Sequence, residues 1–171
     1  EVKLSEGAAD VKAPENANEA VEAAVAAISS TETKSKGLAS AAASTVVEEA
    51  KKKAEESAPA GKEVEVHAET SLNIEVKDYQ QDETTNQHVL TLKIEPQVTY
   101  TVKEKDSGKV VSTTEPETIP NDAIKAPVTI SIKLPDGMST NNLYVKHYFS
   151  ERPGEYEYIK PEIKAATDGK G

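Results

Sequence analysis

The chain has 171 residues and a formal net charge of −10, and 36% of its residues are hydrophobic. Phosphate binding needs a basic stripe, so this balance excludes a nucleic-acid partner. Cysteine and tryptophan are absent and methionine occurs once, which excludes disulfides and thiol chemistry and leaves Val, Ile, Leu and Ala to build the core.

No run of about 18 apolar residues occurs, so nothing reads as a membrane span. The chain starts at Glu1 without Met or a signal peptide, as a processed chain or an excised piece would. The lack of cysteine suits the cytosol, and equally the exterior of a bacterium that does not use disulfides.

The leader "EVKLSE" alternates Val2 and Leu4 with charge, the pattern of an edge strand. "PENANEAVEAAVAAISS" predicts a helix that Asn16 or Asn18 can cap, with Val21, Val25 and Ile28 on one face. "KGLASAAASTVVEEAKKKAEES" continues in the same period, with Leu38, Ala42, Val46 and Ala50 as its stripe. Lys51, Lys52 and Lys53 sit among Glu48, Glu49, Glu55 and Glu56, which marks a solvated helix face rather than a basic patch. "APAG" at 58–61 ends the run. Stripes this thin bury little surface, so the helices are expected to lie against something; a low-complexity linker is the alternative.

After residue 61 the period becomes two. Val64, Val66 and Ala68 share a face, as do Leu72, Ile74 and Val76. Leu90, Leu92 and Ile94 follow, then Val98, Tyr100 and Val102. "DSGK" (106–109) signals a hairpin through Gly108, and "PDG" (135–137) a turn after Val128, Ile130, Ile132 and Leu134. "LYVKHYF" and "YEYIKPEI" are joined at Pro153-Gly154. Short alternating strands without crossover helices predict an antiparallel sandwich covering most of 62–164, and a 62–171 fragment with β structure of its own.

The chain has six Tyr and one Phe, and five of these aromatics fall in 142–158. With Pro153-Gly154 as a two-residue turn, Arg152 opposes Glu155 and Phe149 opposes Tyr158. Paired residues share a face, so Phe149, Tyr156 and Tyr158 would join Leu143 and Val145 in the core. Tyr144 and Tyr148 would face outward with Lys146. A one-residue slip instead places all four tyrosines on one side, as a stacking platform.

No catalytic pattern is present: there is no Gly-x-Ser-x-Gly, no phosphate-cradling loop and no Cys nucleophile. Glu63, Glu65 and Glu75 alternate with Val, which reads as a solvated sheet face. His67, His88 and His147 lie on separate strands without ligand spacing, so no metal site is assigned. Acidic groups at Asp78, Asp82 and Glu83, and at Asp122, Asp136 and Asn141–Asn142, lack the order of a calcium loop but keep loop calcium open. No cofactor is expected, and no Lys lies on an inferred core face where an isopeptide cross-link would need it.

"IPNDAIKAPVTISIKLPDGMSTNNLYVKHYF", with the later "YEYI" and the earlier "LNIEVKDYQQDETTNQHVLTLKIEP", resembles modules repeated in large surface proteins of Gram-positive gut bacteria. The resemblance covers about two-thirds of the chain and is one of strand and turn order. It implies an immunoglobulin-like β-sandwich, an extracellular, wall-linked or secreted setting, and a further closing strand after "TDGKG". It carries over no functional residues. The expected architecture is α+β: an Ala-rich helical segment with a leading edge strand over 1–61, and an antiparallel immunoglobulin-like β-sandwich lacking its closing strand over 62–171.

The expected function is a non-catalytic extracellular module, at the cell surface or secreted, that serves as spacer, display or adhesion domain. Its partners would be neighbouring modules of the same polypeptide and a host or glycan ligand. The alternative is a carbohydrate-binding accessory domain of a secreted enzyme that stacks sugars on Tyr144, Tyr148 and Tyr156.

Overall fold

The computed structural model describes residues 1–140, 143–149 and 152–164. In chain order the elements are β1 (Val2–Glu6), β2 (Asp10–Lys12), α1 (Glu19–Ile28), β3 (Lys34–Lys36), α2 (Leu38–Ala41) and α3 (Ala43–Ser57). Then come β4 (Val64–Asp82), β5 (Gln87–Glu104), β6 (Val110–Thr113), β7 (Glu117–Thr118), β8 (Thr129–Ser131), β9 (Val145–Tyr148) and β10 (Tyr156–Ile159).

β4 and β5 pair antiparallel from Val64↔Glu104 to Asp82↔Gln87. In β4 the two runs expected as separate strands are one strand because no Gly or Pro separates them. Thr70 continues the inward row between Ala68 and Leu72, and its hydroxyl donates to the Ser5 carbonyl at 3.2 Å, so its burial leaves no orphaned group. At about 3.3 Å per residue, the 19 residues of β4 span about 60 Å. Pro96 is tolerated inside β5 because its carbonyl accepts from Ile119 on the side away from β4. The missing N–H therefore also points away from the β4 ladder.

Val66, Ala68, Leu72, Ile74 and Val76 of β4 and Val98, Tyr100 and Val102 of β5 are buried on one face. The opposite face pairs Glu65 with Lys103, His67 with Thr101 and Glu75 with Lys93, and is polar along the ribbon. A bulge between Val76 and Asp78 makes Lys77 the extra residue, so Tyr79, opposite Leu90, resumes the inward face. β1 and β2 add to β4 in parallel (Val2↔Val66, Asp10↔Asn73), while β6 and β7 pair antiparallel with β5.

The helices cover the apolar face. Leu38, Ala42, Val46 and Ala50, the expected stripe, are buried against Val66, Leu72, Ile74 and Tyr100, with Ile119 and Ala123 in the same core. Val21, Ala24 and Ile28 of α1 form a second cluster with Val76, edged by Tyr79 and Leu90. The Asn18 side chain caps α1 by accepting from the Val21 N–H at 2.9 Å. Glu6, ending β1, accepts from the Leu38 and Ala39 N–H groups at the start of α2. Gly37 makes that approach with φ +89°, which costs a residue without Cβ little.

The architecture is α+β, with one six-stranded sheet under helices. The expected antiparallel sandwich is corrected on two points. Among the described residues helices and the 119–124 segment cover most of the core, and the small β3–β8 sheet only edges it, through Val128 and Ile132 on either side of β8. Two of the strand pairings are parallel. Alternation records that one face is buried, not which layer buries it. The strand around Ile130 is also shorter than its sequence pattern, and β8 pairs with β3 (Ser35↔Ile130) in a separate two-stranded sheet. The final "TDGKG", on which the closing-strand expectation rested, lies outside the described residues.

Candidate functional site

β9 and β10 form their own antiparallel pair, with Tyr148↔Tyr156, His147↔Glu157, Lys146↔Tyr158 and Val145↔Ile159 opposed. The expected register is overturned: Tyr158 faces Lys146, not Phe149. The turn is longer than two residues. Arg152 N–H donates to the Phe149 carbonyl at 3.2 Å, Glu155 N–H to the Arg152 carbonyl at 3.0 Å, and Gly154 takes φ +87°. A displacement of three positions is odd, so it exchanges the two faces. Tyr156 and Tyr158 therefore join Tyr148 and Lys146 on one side, and are 50% and 66% exposed rather than core residues.

The rings make a cluster without a flat platform. Tyr148 and Tyr156 have centroids 5.9 Å apart at 56°, and Tyr156 and Tyr158 lie 5.6 Å apart at 82°. Lys146 Nζ sits 4.0 Å from the Tyr156 centroid, 5.0 Å from that of Tyr148 and 6.0 Å from that of Tyr158. Those distances lie within cation–π range. Hydrogen bonding with the Tyr148 side chain holds the Lys146 ammonium above the ordinary lysine pKa, against a desolvation that pulls it down.

The other face is mixed. Val145 opposes Ile159, and His147 Nδ1 lies 3.0 Å from Glu157 Oε1. Phe149 packs between His147, at 4.7 Å between centroids, and the Arg152 guanidinium at 4.2 Å.

Of the expected stacking residues, Tyr148 and Tyr156 come together. Tyr144, just before β9, is 61% exposed, and no ring contact is found for it among the described residues. The sequence sets Lys146 beside Tyr148 but gives it no part in the site, and it brings Tyr158 there only in the slipped register; the observed register brings Tyr158 opposite Lys146.

The histidines stay apart. His67 meets Ser5 Oγ at 3.0 Å, His88 meets the Tyr79 hydroxyl at 2.8 Å, and His147 meets Glu157. Among the described residues no group of three or more His, Asp or Glu could hold a metal ion. The Asp82 carboxylate accepts from the Thr84 and Thr85 N–H groups at 2.9 and 3.2 Å, closing the β4–β5 turn. These backbone donors, Thr85 foremost, lower its pKa. Asp78 accepts from Gln80 at 2.7 Å. Asn141 and Asn142 of the second acidic group lie outside the described residues.

Compared with known protein families, with curated proteins and with solved structures, the chain finds no match. The resemblance to bacterial surface modules thus rests on the residues quoted for it. Among the described residues no helix is long and apolar enough to cross a membrane.

Proposed function

We propose that the chain is a non-catalytic extracellular module of a bacterial surface protein, which spaces and displays an adhesive contact. The observation that carries the reading is the β9–β10 hairpin. It pairs with no other strand among the described residues, and it presents Tyr148, Tyr156 and Tyr158 around Lys146 to solvent. Aromatic residues left exposed beside a cation have the composition of a contact surface rather than of a core. The β4–β5 ribbon supports the spacer half of the reading, because a long ladder covered by helices resists bending.

The carbohydrate-binding alternative calls for an exposed, nearly coplanar ring pair. Angles of 56° and 82°, with Lys146 standing over Tyr156, favour contact with a protein surface instead. The test compares beads coated with the chain and with a Tyr148→Ala/Tyr156→Ala variant for adhesion to cultured epithelial cells. A glycan array is probed in parallel. Adhesion lost in a variant of unchanged Tm supports the reading, and equal adhesion overturns it. A glycan signal lost in the variant selects the alternative.

A further inference from the structure

A cavity of about 170 Å³ opens between α3 and the strands β5 and β7, far smaller than a drug-sized pocket. Val46, Val98 and Ile119 give it apolar walls, and its polar lining is Glu49, Glu117, Tyr100, Thr45 and Thr118. Glu49 and Glu117 come from distant parts of the chain, yet both reach Lys53 Nζ, at 3.6 and 3.5 Å. Two carboxylates against one ammonium leave a net negative charge, and Lys53 is not part of the cavity lining.

Tyr100 supplies an independent observation. It is 2% exposed, and no hydrogen-bond partner of its hydroxyl is found among the described residues. Loss of water, followed by the charges of Glu49 and Glu117, pushes its pKa up to about 12. Tyr100 lines the cavity together with both carboxylates. The hydroxyl is not one of the buried side-chain atoms left without a partner, which among the described residues are Ser35 Oγ and Asn73 Oδ1, so it keeps some accessible surface, and a donor entering the cavity can reach its oxygen.

We propose that this cavity binds a primary alkylammonium group, with its head between Glu49, Glu117 and the Tyr100 hydroxyl and its stem against Val46, Val98 and Ile119. The three N–H donors of such a head match two carboxylates and one hydroxyl oxygen. A quaternary ammonium is excluded, because it is held by a cage of aromatic faces and this cavity has one ring. The acidic chain also concentrates cations near its surface. The same head is carried by a lysine side chain and by a free aliphatic amine.

The test is an NMR titration of the full chain with n-butylammonium chloride, read at the Val98, Thr118 and Ile119 amides. Sodium chloride at matched ionic strength is the reference. Further arms use Nα-acetyl-lysine amide and tetramethylammonium. Saturable shifts with butylammonium are expected, weakened about fivefold by Glu117→Gln and strengthened by Lys53→Met, which frees both carboxylates. Equal binding of the lysine amide supports the site as a lysine pocket, and binding of butylammonium alone supports it as a free-amine pocket. Butylammonium shifts no larger than those with sodium, equal shifts with tetramethylammonium, or a response unchanged by both substitutions overturn the proposal. A readout that needs no variant is the wild-type Tm, which butylammonium should raise above its value in sodium chloride. No rise overturns the proposal as well.

Discussion

Tyr100 shows how one buried side chain ties stability to pH. Its folded pKa of about 12 stands above the ordinary value of 10.0, so folding favours the neutral phenol. The stability this contributes is complete below pH 10 and is lost as pH rises through about 12. The wild-type Tm should therefore fall more steeply over that window than the Tm of Tyr100→Phe, followed by circular dichroism; parallel curves would contradict the burial argument. Asp82 runs the opposite way. Its carboxylate is stabilised in the folded chain by the Thr85 and Thr84 N–H groups, so its contribution is present above the ordinary value of 3.8 and fades as pH falls. Asp82→Ala should lower Tm at pH 7, and the gap from wild type should close in acid.

The strands divide into a supported ribbon and an unsupported hairpin. β4 has partners on both edges and helices over its apolar face. β9 and β10 pair only with each other among the described residues, and their strand side chains are exposed. A two-stranded hairpin alone is marginal in water, because it lacks a hydrophobic layer to offset the entropy of ordering. Hydrogen exchange should separate the two: amides of 145–148 and 156–159 should exchange orders of magnitude faster than those of 66–76. Comparable protection would mean that something covers the hairpin in solution. For the proposed adhesive role, a loosely held hairpin is a surface that orders when it meets its partner.

The cores cross residue 61. Helices from 1–61 supply one side and the β4–β5 ribbon the other, while β1 and β2 extend the sheet itself. Among the described residues of 62–171 only the 119–132 stretch, through Ile119, Ala123, Ile124, Val128 and Ile132, packs on the ribbon, and the rest of the cover comes from the helices. A 62–171 fragment should therefore lose the cooperative thermal transition of the full chain and associate through its uncovered face of Val66, Leu72, Ile74 and Val98. A fragment that melts cooperatively as a monomer would show that the ribbon carries a core of its own.

Much of this was legible from local pattern. The stripe of Leu38, Ala42, Val46 and Ala50, an asparagine cap at Asn16 or Asn18, the edge strand at Val2 and Leu4 and the turn at Gly108 follow from side-chain periodicity and backbone preference over a few residues. What covers the sheet was not legible, because alternation of Val66, Ala68, Leu72 and Ile74 looks the same under helices or under a second sheet. The parallel seating of β1 and the bulge at Lys77 are likewise set by distant packing. At the candidate site the sequence set Tyr148 and Lys146 on one outward face but put Tyr156 and Tyr158 in the core. Pro153-Gly154 marks a turn without setting its length, and an odd change in length exchanges the faces of the hairpin. Tertiary structure alone brought Tyr156 and Tyr158 to the side of Tyr148 and Lys146, since strand register is a property of the pair and neither strand carries it by itself.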